Sequence, residues 1–144
     1  MSLKKLFIIL LFLVPLIICP QIIKDDFRLN DDTEGAWCYL PAVSITENGN
    51  FLVVWYDYRN GLGNVYAQMY DSLGNPIGTN FKMSEYGGGW SEYSPDAANY
   101  NDSLFVVWER GYGRWLQSDG SFAGSSFYFL PNQADEPEVV ATDS

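Results

Sequence analysis

The side chains of this chain that could do chemistry are mainly carboxylates, because the sequence contains no histidine. The lack of histidine excludes Ser-His-Asp and Cys-His catalysis and histidine-ligated zinc or iron. A pair of carboxylates at a fixed separation could still cleave a glycosidic bond. The acids available for such a pair are Asp57, Asp71, Glu85, Glu92, Asp96, Glu109 and Asp119. Their spacing selects no two of them, and acids at strand ends usually face water or cap turns, so we expect no catalytic residue.

A second set of acids lies close together near the start of the chain and raises the question of calcium. Its members are Asp25, Asp26, Asp31, Asp32 and Glu34. Calcium takes six to eight oxygen ligands, and the sequence has no Asp-x-Asp-x-Asp-Gly loop. We therefore expect a solvated acidic linker, with a calcium site as the alternative. No cofactor is predicted.

Aromatic side chains could also contact a ligand, since rings stack on sugar faces and anchor protein contacts. Trp55 and Trp108 occupy matched places in two similar strands, which predicts that both are core residues. Tyr86 and Trp90 flank three consecutive glycines, and a spacer is the alternative role for this loop. The predicted ligand contacts are Trp37, Tyr86, Trp90 and Trp115.

These side chains belong to a sequence that repeats itself. A phenylalanine opens each copy and a proline follows it, at Phe27 and Pro41, Phe81 and Pro95, and Phe127 and Pro137. Residues 51–55 (FLVVW) recur as residues 104–108 (LFVVW). The spacing of about 42 to 54 residues suits a four-stranded blade of a β-propeller.

The first complete copy predicts an antiparallel meander of four strands, at 42–45, 51–56, 65–70 and 79–84. The second strand is apolar at nearly every position, which indicates that both of its faces are covered. The third alternates, with Val65, Ala67 and Met69 on one face. The second copy predicts strands at 95–99, 104–108 and 114–117. Residues 27–30 match an outer strand of this plan and residues 137–141 an inner strand.

Together these patterns predict an all-β fold, an incomplete β-propeller of two four-stranded antiparallel blades with partial flanking blades after an N-terminal signal helix. The predicted divisions are a signal peptide at 1–21, an outer strand and acidic linker at 22–40, blade repeats at 41–94 and 95–136, and the start of a truncated third repeat at 137–144. We expect the missing blades to belong to the same longer chain.

The first residues have the pattern of a secretory signal. Lys4 and Lys5 precede an apolar run from Leu6 to Cys19, which is shorter than the roughly 20 residues that a membrane-spanning helix needs. We expect a secreted or cell-surface protein that meets the membrane only through this segment. The cleavage site stays open, and lipidation of Cys19 is the alternative.

Charge limits the classes of partner that we expect, and cysteine content limits how the fold is stabilised. The net charge of −10 disfavours nucleic acid and anionic membrane as partners. After signal cleavage Cys38 would be the remaining cysteine, so stability must come from packing rather than from an internal disulfide. We expect a small buried thiol, with intermolecular pairing as the alternative.

Three stretches resemble the repeat of large secreted bacterial β-propeller proteins, many of which end in a cell-surface sorting module. They are residues 51–59 (FLVVWYDYR), 64–71 (NVYAQMYD) and 74–78 (GNPIG), and the resemblance extends over 27–144. We expect a non-catalytic extracellular module that binds or scaffolds a protein or a glycan; a purely structural repeat would bind no ligand.

The alternative is a fragment of a secreted carbohydrate-active enzyme, sialidase-like or another glycosidase, whose catalytic residues lie in missing blades. Sialidases resemble this chain in blade plan. They carry an arginine cluster and Ser-x-Asp-x-Gly-x-Thr-Trp turns, and residues 118–121 (SDGS) do not fit that spacing.

Overall fold

Two four-stranded antiparallel sheets make up the fold. A computed structural model of the chain describes residues 25–85, 91–129 and 135–142. The first sheet holds, in spatial order, β1 (Cys38–Ile45), β2 (Phe51–Asp57), β3 (Asn64–Tyr70) and β4 (Pro76–Lys82). The second holds β5 (Asp96–Tyr100), β6 (Ser103–Trp108), β7 (Tyr112–Gln117) and β8 (Phe127–Tyr128). This confirms the predicted all-β fold with two four-stranded sheets; the predicted signal helix lies outside the described residues.

Glycines at three hairpin turns let the strands reverse direction. Gly49, Gly74 and Gly120 have φ angles of 84°, 78° and 83°, a region that glycine enters without a steric penalty. The amide of each donates to a carbonyl three residues earlier at 2.9 Å, on Thr46, Asp71 and Gln117 respectively. The Asn-Gly turn predicted after the first strand is therefore present, and equivalent turns close the later hairpins.

The core lies between the two sheets. On the first sheet its buried side chains include Leu52, Val54, Val65, Ala67 and Met69, and on the second Leu104, Val106, Trp108 and Leu116. Every residue of β3 is buried, as is every residue of β2 after Phe51. The prediction that the second strand is covered on both faces is correct, and so is the predicted burial of Trp55 and Trp108.

The two sheets stack so that equivalent faces of the two repeats point in the same direction. Val53 and Trp55 lie on the flank of the first sheet that faces away from the second. Their counterparts Val106 and Trp108 lie between the sheets. The first repeat therefore contacts the second through one flank, and the second repeat contacts the first through the opposite flank.

Several predicted strand limits are wrong. Residues 27–30 and 137–141 form no strand, because a strand needs a neighbour paired through backbone hydrogen bonds and neither segment has such a neighbour among the described residues. The first strand begins at Cys38 rather than at residue 42, and it crosses Pro41 by a bulge between Tyr39 and Ala42, where proline's missing amide is tolerated. The fourth strand covers Pro76–Lys82 instead of 79–84.

Replacing Trp108 by alanine tests the sheet-to-sheet core. The side chain is fully buried, so Trp108→Ala should lower the free energy of unfolding by about 3–5 kcal/mol. Trp37→Ala is the matched control, because Trp37 is 70% exposed and surface changes usually stay within about 0.5 kcal/mol. Urea unfolding followed by circular dichroism measures both, and equal losses would contradict the described core.

Candidate functional site

The three repeat prolines line one cleft of about 690 Å³. The residue before each proline has a positive φ, 51° at Leu40, 48° at Ser94 and 107° at Glu136. Such angles are strained for residues other than glycine, at a cost of about 1–3 kcal/mol each. The chain near Pro137 thus shares the positive φ before the proline, although no strand follows within the described residues.

The cleft lacks the donor set of a metal centre. Its acids are Asp96, Glu136 and Glu138, and Asp96 already accepts the amide of Val139 at 2.8 Å. In the described part of the chain no three Asp, Glu or Cys side chains form a group that could hold a metal ion.

The seven acids considered for catalysis all accept hydrogen bonds from their surroundings. Two of them accept the indole N–H of a buried tryptophan, Asp57 from Trp55 at 2.9 Å and Glu92 from Trp108 at 3.3 Å. The other five accept from the backbone of a turn or a neighbouring segment, as Asp71, Glu85, Asp96, Glu109 and Asp119. Their hydrogen bonds serve the architecture.

The acids near the start of the chain also bond locally. Asp31 forms an ion pair with Arg59 at 2.5 Å. Asp32 accepts the amide of Ala36 at 2.6 Å, and this hydrogen bond holds the pKa of Asp32 below its ordinary value. The Cys38 thiol is half-buried, lies 3.4 Å from Asp57 and is free of any disulfide; burial raises its pKa.

Aromatic rings gather at the edge of the fold where the repeats connect. We call Trp37, Tyr39, Tyr56, Tyr58 and Tyr93 the aromatic patch. Its rings follow one another from Trp37 to Tyr39, 6.4 Å between centroids, then to Tyr56 at 6.3 Å and to Tyr93 at 4.5 Å. The ring of Tyr58 meets that of Tyr56 edge-on at 5.1 Å.

Backbone hydrogen bonds tie the patch to both sheets. The Tyr58 amide donates to the Trp37 carbonyl at 3.1 Å, which joins the end of β2 to the start of β1. The Tyr93 carbonyl accepts the amide of Glu109 at 2.9 Å, next to the end of β6. The patch therefore sits on strand ends of two repeats rather than on one free loop.

Tyr56 is the fixed centre of the patch. It is buried, and its hydroxyl makes no hydrogen bond of ordinary geometry with a described residue. Burial raises its pKa, helped by the neighbouring hydroxyls of Tyr58 and Tyr93. Interactions with Ser91 and Tyr56 lower the pKa of Tyr93.

The structure separates the predicted contact residues. Trp37 belongs to the patch, whereas Tyr86 and Trp90 lie outside the described residues. Trp115 lies on β7, where it stacks on Phe105 at 4.5 Å in a different aromatic cluster. Sequence reasoning missed the tyrosines of the patch, although the alternation of Trp37 with Tyr39 and of Tyr56 with Tyr58 was visible.

No family model, curated protein or solved structure matches this chain. Within the described ranges no helix is long and apolar enough to cross a membrane.

Gly63 makes room for the centre of the patch. A Cβ atom at this position would lie 1.8 Å from the Tyr56 hydroxyl oxygen, so Gly63→Ala should destabilise the fold by about 1–3 kcal/mol through overpacking. Gly61→Ala is the control, because its Cβ would meet open space and only its φ of 77° is unfavourable. Urea unfolding and the near-ultraviolet tyrosine signal report the effect; an unchanged tyrosine signal in Gly63→Ala would contradict the packing.

The two tryptophan–carboxylate pairs should respond oppositely to pH. At Asp57, burial raises the pKa but hydrogen bonds from Arg59 and Trp55 outweigh it, so the pKa lies below its ordinary 3.8. Its contribution to stability is present above that value and is lost as pH falls through the lower folded pKa. At Glu92 burial raises the pKa above 4.5, so its contribution is largest at low pH and falls as pH rises towards the folded pKa.

Asp57→Asn should therefore lower the free energy of unfolding most near neutral pH and less in acid. The free energy of unfolding of Glu92→Gln should rise relative to that of the wild type as pH rises. Urea unfolding from about pH 3 to about pH 8 measures both differences. Each variant is the control for the other because both sites bond a buried tryptophan. Parallel pH profiles would contradict the assignment.

Proposed function

We propose that this chain is part of an extracellular β-propeller that acts as a non-catalytic binding or scaffold module for a protein or a glycan. One observation carries the proposal: in three successive repeats the residue before a proline has a positive φ, and all three prolines line one cleft. Repeated units that place equivalent backbone around a common centre are the basis of a propeller.

The direction of stacking supports a ring. Because the first repeat contacts the second through one flank and the second contacts the first through the opposite flank, the contact between the sheets is heterologous, and such contacts continue until rotation closes them. The outer flank of the second sheet carries Phe105 and Trp115, with Phe127 and Phe129 close to Phe105. Further blades of the same chain would cover these rings.

The end of each repeat contacts the sheet that follows it, and we call these contacts junctions. Equivalent junctions also support a ring. The Met83 carbonyl, at the end of the first repeat, accepts from Arg114 of the second sheet at 3.2 Å. The Leu29 carbonyl holds the matching place one repeat earlier, and it accepts from Tyr70 at 3.1 Å and from Asn80 at 3.3 Å. Residues 27–30 therefore dock on the first sheet as residues 81–84 dock on the second, which suits the outer strand of a preceding blade.

Acidic residues at the same junctions follow the repeat as well. Glu85 pairs with Arg114 at 2.6 Å and accepts the amide of Ser126 at 3.2 Å. Asp31, at the matching place, pairs with Arg59, and its amide donates to Asn80 at 2.8 Å. A hydrogen-bonded ion pair at each junction is suited to fixing the angle between successive blades.

Secretion or cell-surface display rests on the signal pattern at 1–21. A non-catalytic role is favoured because the candidate acids are engaged in structural hydrogen bonds. The second candidate, part of a carbohydrate-active enzyme with its catalytic residues in further blades, is favoured by the exposed rings of the aromatic patch.

The complete gene product tests both parts of the proposal. A ring predicts about four to eight blades, so its coding sequence should contain further copies of the strand at residues 51–55, and its crystal structure should show them around the proline cleft. Two sheets alone would contradict the ring. Incubation with polysaccharides should release no reducing sugar, and release would favour the enzyme.

A further inference from the structure

We propose that residues 137–142, which we call the edge segment, and the outer flank of the second sheet together form an acceptor site for one more β-strand. The occupant is a strand of the FLVVW pattern, the second strand of a third repeat of the same polypeptide. The acceptor site rests on the proposed function of the chain as part of a propeller. It adds the identity of the next strand, its register and the face that this strand turns to the second sheet.

The edge segment already occupies the place of an inner strand. It lines the proline cleft beside the corresponding residues of β1 and β5, and the Val139 amide donates to Asp96 at 2.8 Å. Counted from the prolines, Val139 matches Ala97 of β5. Ala97 is buried against the first sheet, and Val139 lines a pocket with Phe105 and Trp115 of the second. The edge segment is therefore placed on the second sheet as β5 is placed on the first.

The edge segment lacks the partner that both other inner strands have. β1 pairs with β2, where Val43 stands opposite Val53, and β5 pairs with β6, where Ala97 stands opposite Val106. Among the described residues no strand pairs with the edge segment, and Val140 is 80% exposed. An extended segment with an unpaired backbone edge can accept a further strand. The first two repeats specify that strand, since both use the FLVVW pattern at this place.

The second sheet supplies the apolar half of the acceptor site. Phe105 and Trp115 stand opposite each other on β6 and β7. They match Leu52 and Met69, the opposed pair on β2 and β3 that the second sheet covers. A pocket of about 250 Å³ lies between Phe105, Trp115 and the edge segment. The same surface that is filled in the first repeat is thus open to a neighbour in the second.

The existing contact between the sheets decides which face the added strand presents. Val106 and Trp108 of β6 are buried against the first sheet, and they match Val53 and Trp55 of β2. Successive side chains of a strand point to opposite faces. A further copy of residues 51–55 would therefore turn its positions 53 and 55 towards Phe105, and its positions 52 and 54 away.

Extending the full chain by a copy of residues 49–57 (GNFLVVWYD) after Ser144 tests the acceptor site. Counted from the prolines, Ser144 matches Asn48, so the added residues continue the hairpin of the first repeat in register. We expect the amides of the edge segment to exchange with deuterium about tenfold or more slowly than in the unextended chain, because pairing protects them. Hydrogen exchange measured by mass spectrometry reports the difference.

Two pairs of variants make the test specific. In the added strand, Val53→Asp should abolish the slowing because it places a carboxylate against apolar rings, whereas Val54→Asp is the matched control and should keep most of it. In the chain itself, Val139→Asp should abolish the slowing. Val43→Asp is its control, because Val43 holds the matching place in β1 and is 59% exposed. Circular dichroism establishes that every variant is folded.

The absence of slowing in the extended chain would overturn the acceptor site, and so would equal losses in Val53→Asp and Val54→Asp. Sedimentation equilibrium identifies the source of the strand. Slowing in monomers supports a strand of the same polypeptide, whereas slowing confined to dimers would overturn that source and assign the strand to a second copy.

The complete gene product separates this acceptor site from the proposed ring. If it contains further copies of the strand at residues 51–55 but the extended chain shows no slowing, the acceptor site alone is contradicted. If it contains two sheets alone, the ring is contradicted, and slowing in the extended chain would still support the geometry of the acceptor.

Discussion

Apolar packing between the two sheets is the interaction on which the rest of the structure depends. Leu52 and Val54 of the first sheet share one core with Val106 and Trp108 of the second. Each such side chain contributes about 1.5–3 kcal/mol when it is fully buried. β2 and β3 are buried along almost their whole length, because the second sheet covers one flank of the first sheet and Leu29 and Cys38 pack on the other. The repeated strand thus supplies side chains to the core between the two sheets in both repeats.

The buried tryptophans impose a second requirement, since an indole N–H removed from water needs an acceptor. The two repeats meet it in different ways. In the first, Asp57 follows Trp55 on the same strand and is itself held by Arg59. In the second, the acceptor is Glu92, which comes from the segment before β5 and has one carboxyl oxygen without a partner among the described residues. One environment stabilises the charged carboxylate and the other disfavours it, although the two tryptophans occupy matched places; the position that matches Asp57 holds Arg110 in the second repeat.

Hydrogen bonding and packing engage most of the side chains that were considered as functional candidates. The acids that might have formed a catalytic pair are occupied with indoles, turns and junctions, and the strands are occupied with packing. At the edge where the two repeats connect, the strand ends carry the rings of the aromatic patch, of which Trp37, Tyr39 and Tyr93 are exposed. Connections between rigid elements commonly carry binding sites for this reason.

Local sequence determined the strands, their turns and their buried faces. Periodicity and the glycines of the hairpins depend on near neighbours in the chain, so the alternation in β3, the burial of Trp55 and Trp108 and the four-stranded plan of each repeat could all be derived. Trp37 was predicted as a ligand contact from its place before Pro41, and the structure shows that it is exposed in the aromatic patch. The edges were less predictable: 27–30 and 137–141 have strand-like sequences, but a strand exists only when another chain segment pairs with it.

Only the tertiary structure decided which distant residues meet. It separated Trp115 from Trp37, placed Tyr93 against Tyr56 and brought the turns at Leu40, Ser94 and Glu136 to one cleft. It also turned Arg59 and Arg114 towards acids of the preceding junction. Such contacts depend on the angle between stacked sheets and on side chains far apart in the chain. The spacing of residues along the chain specifies neither of these.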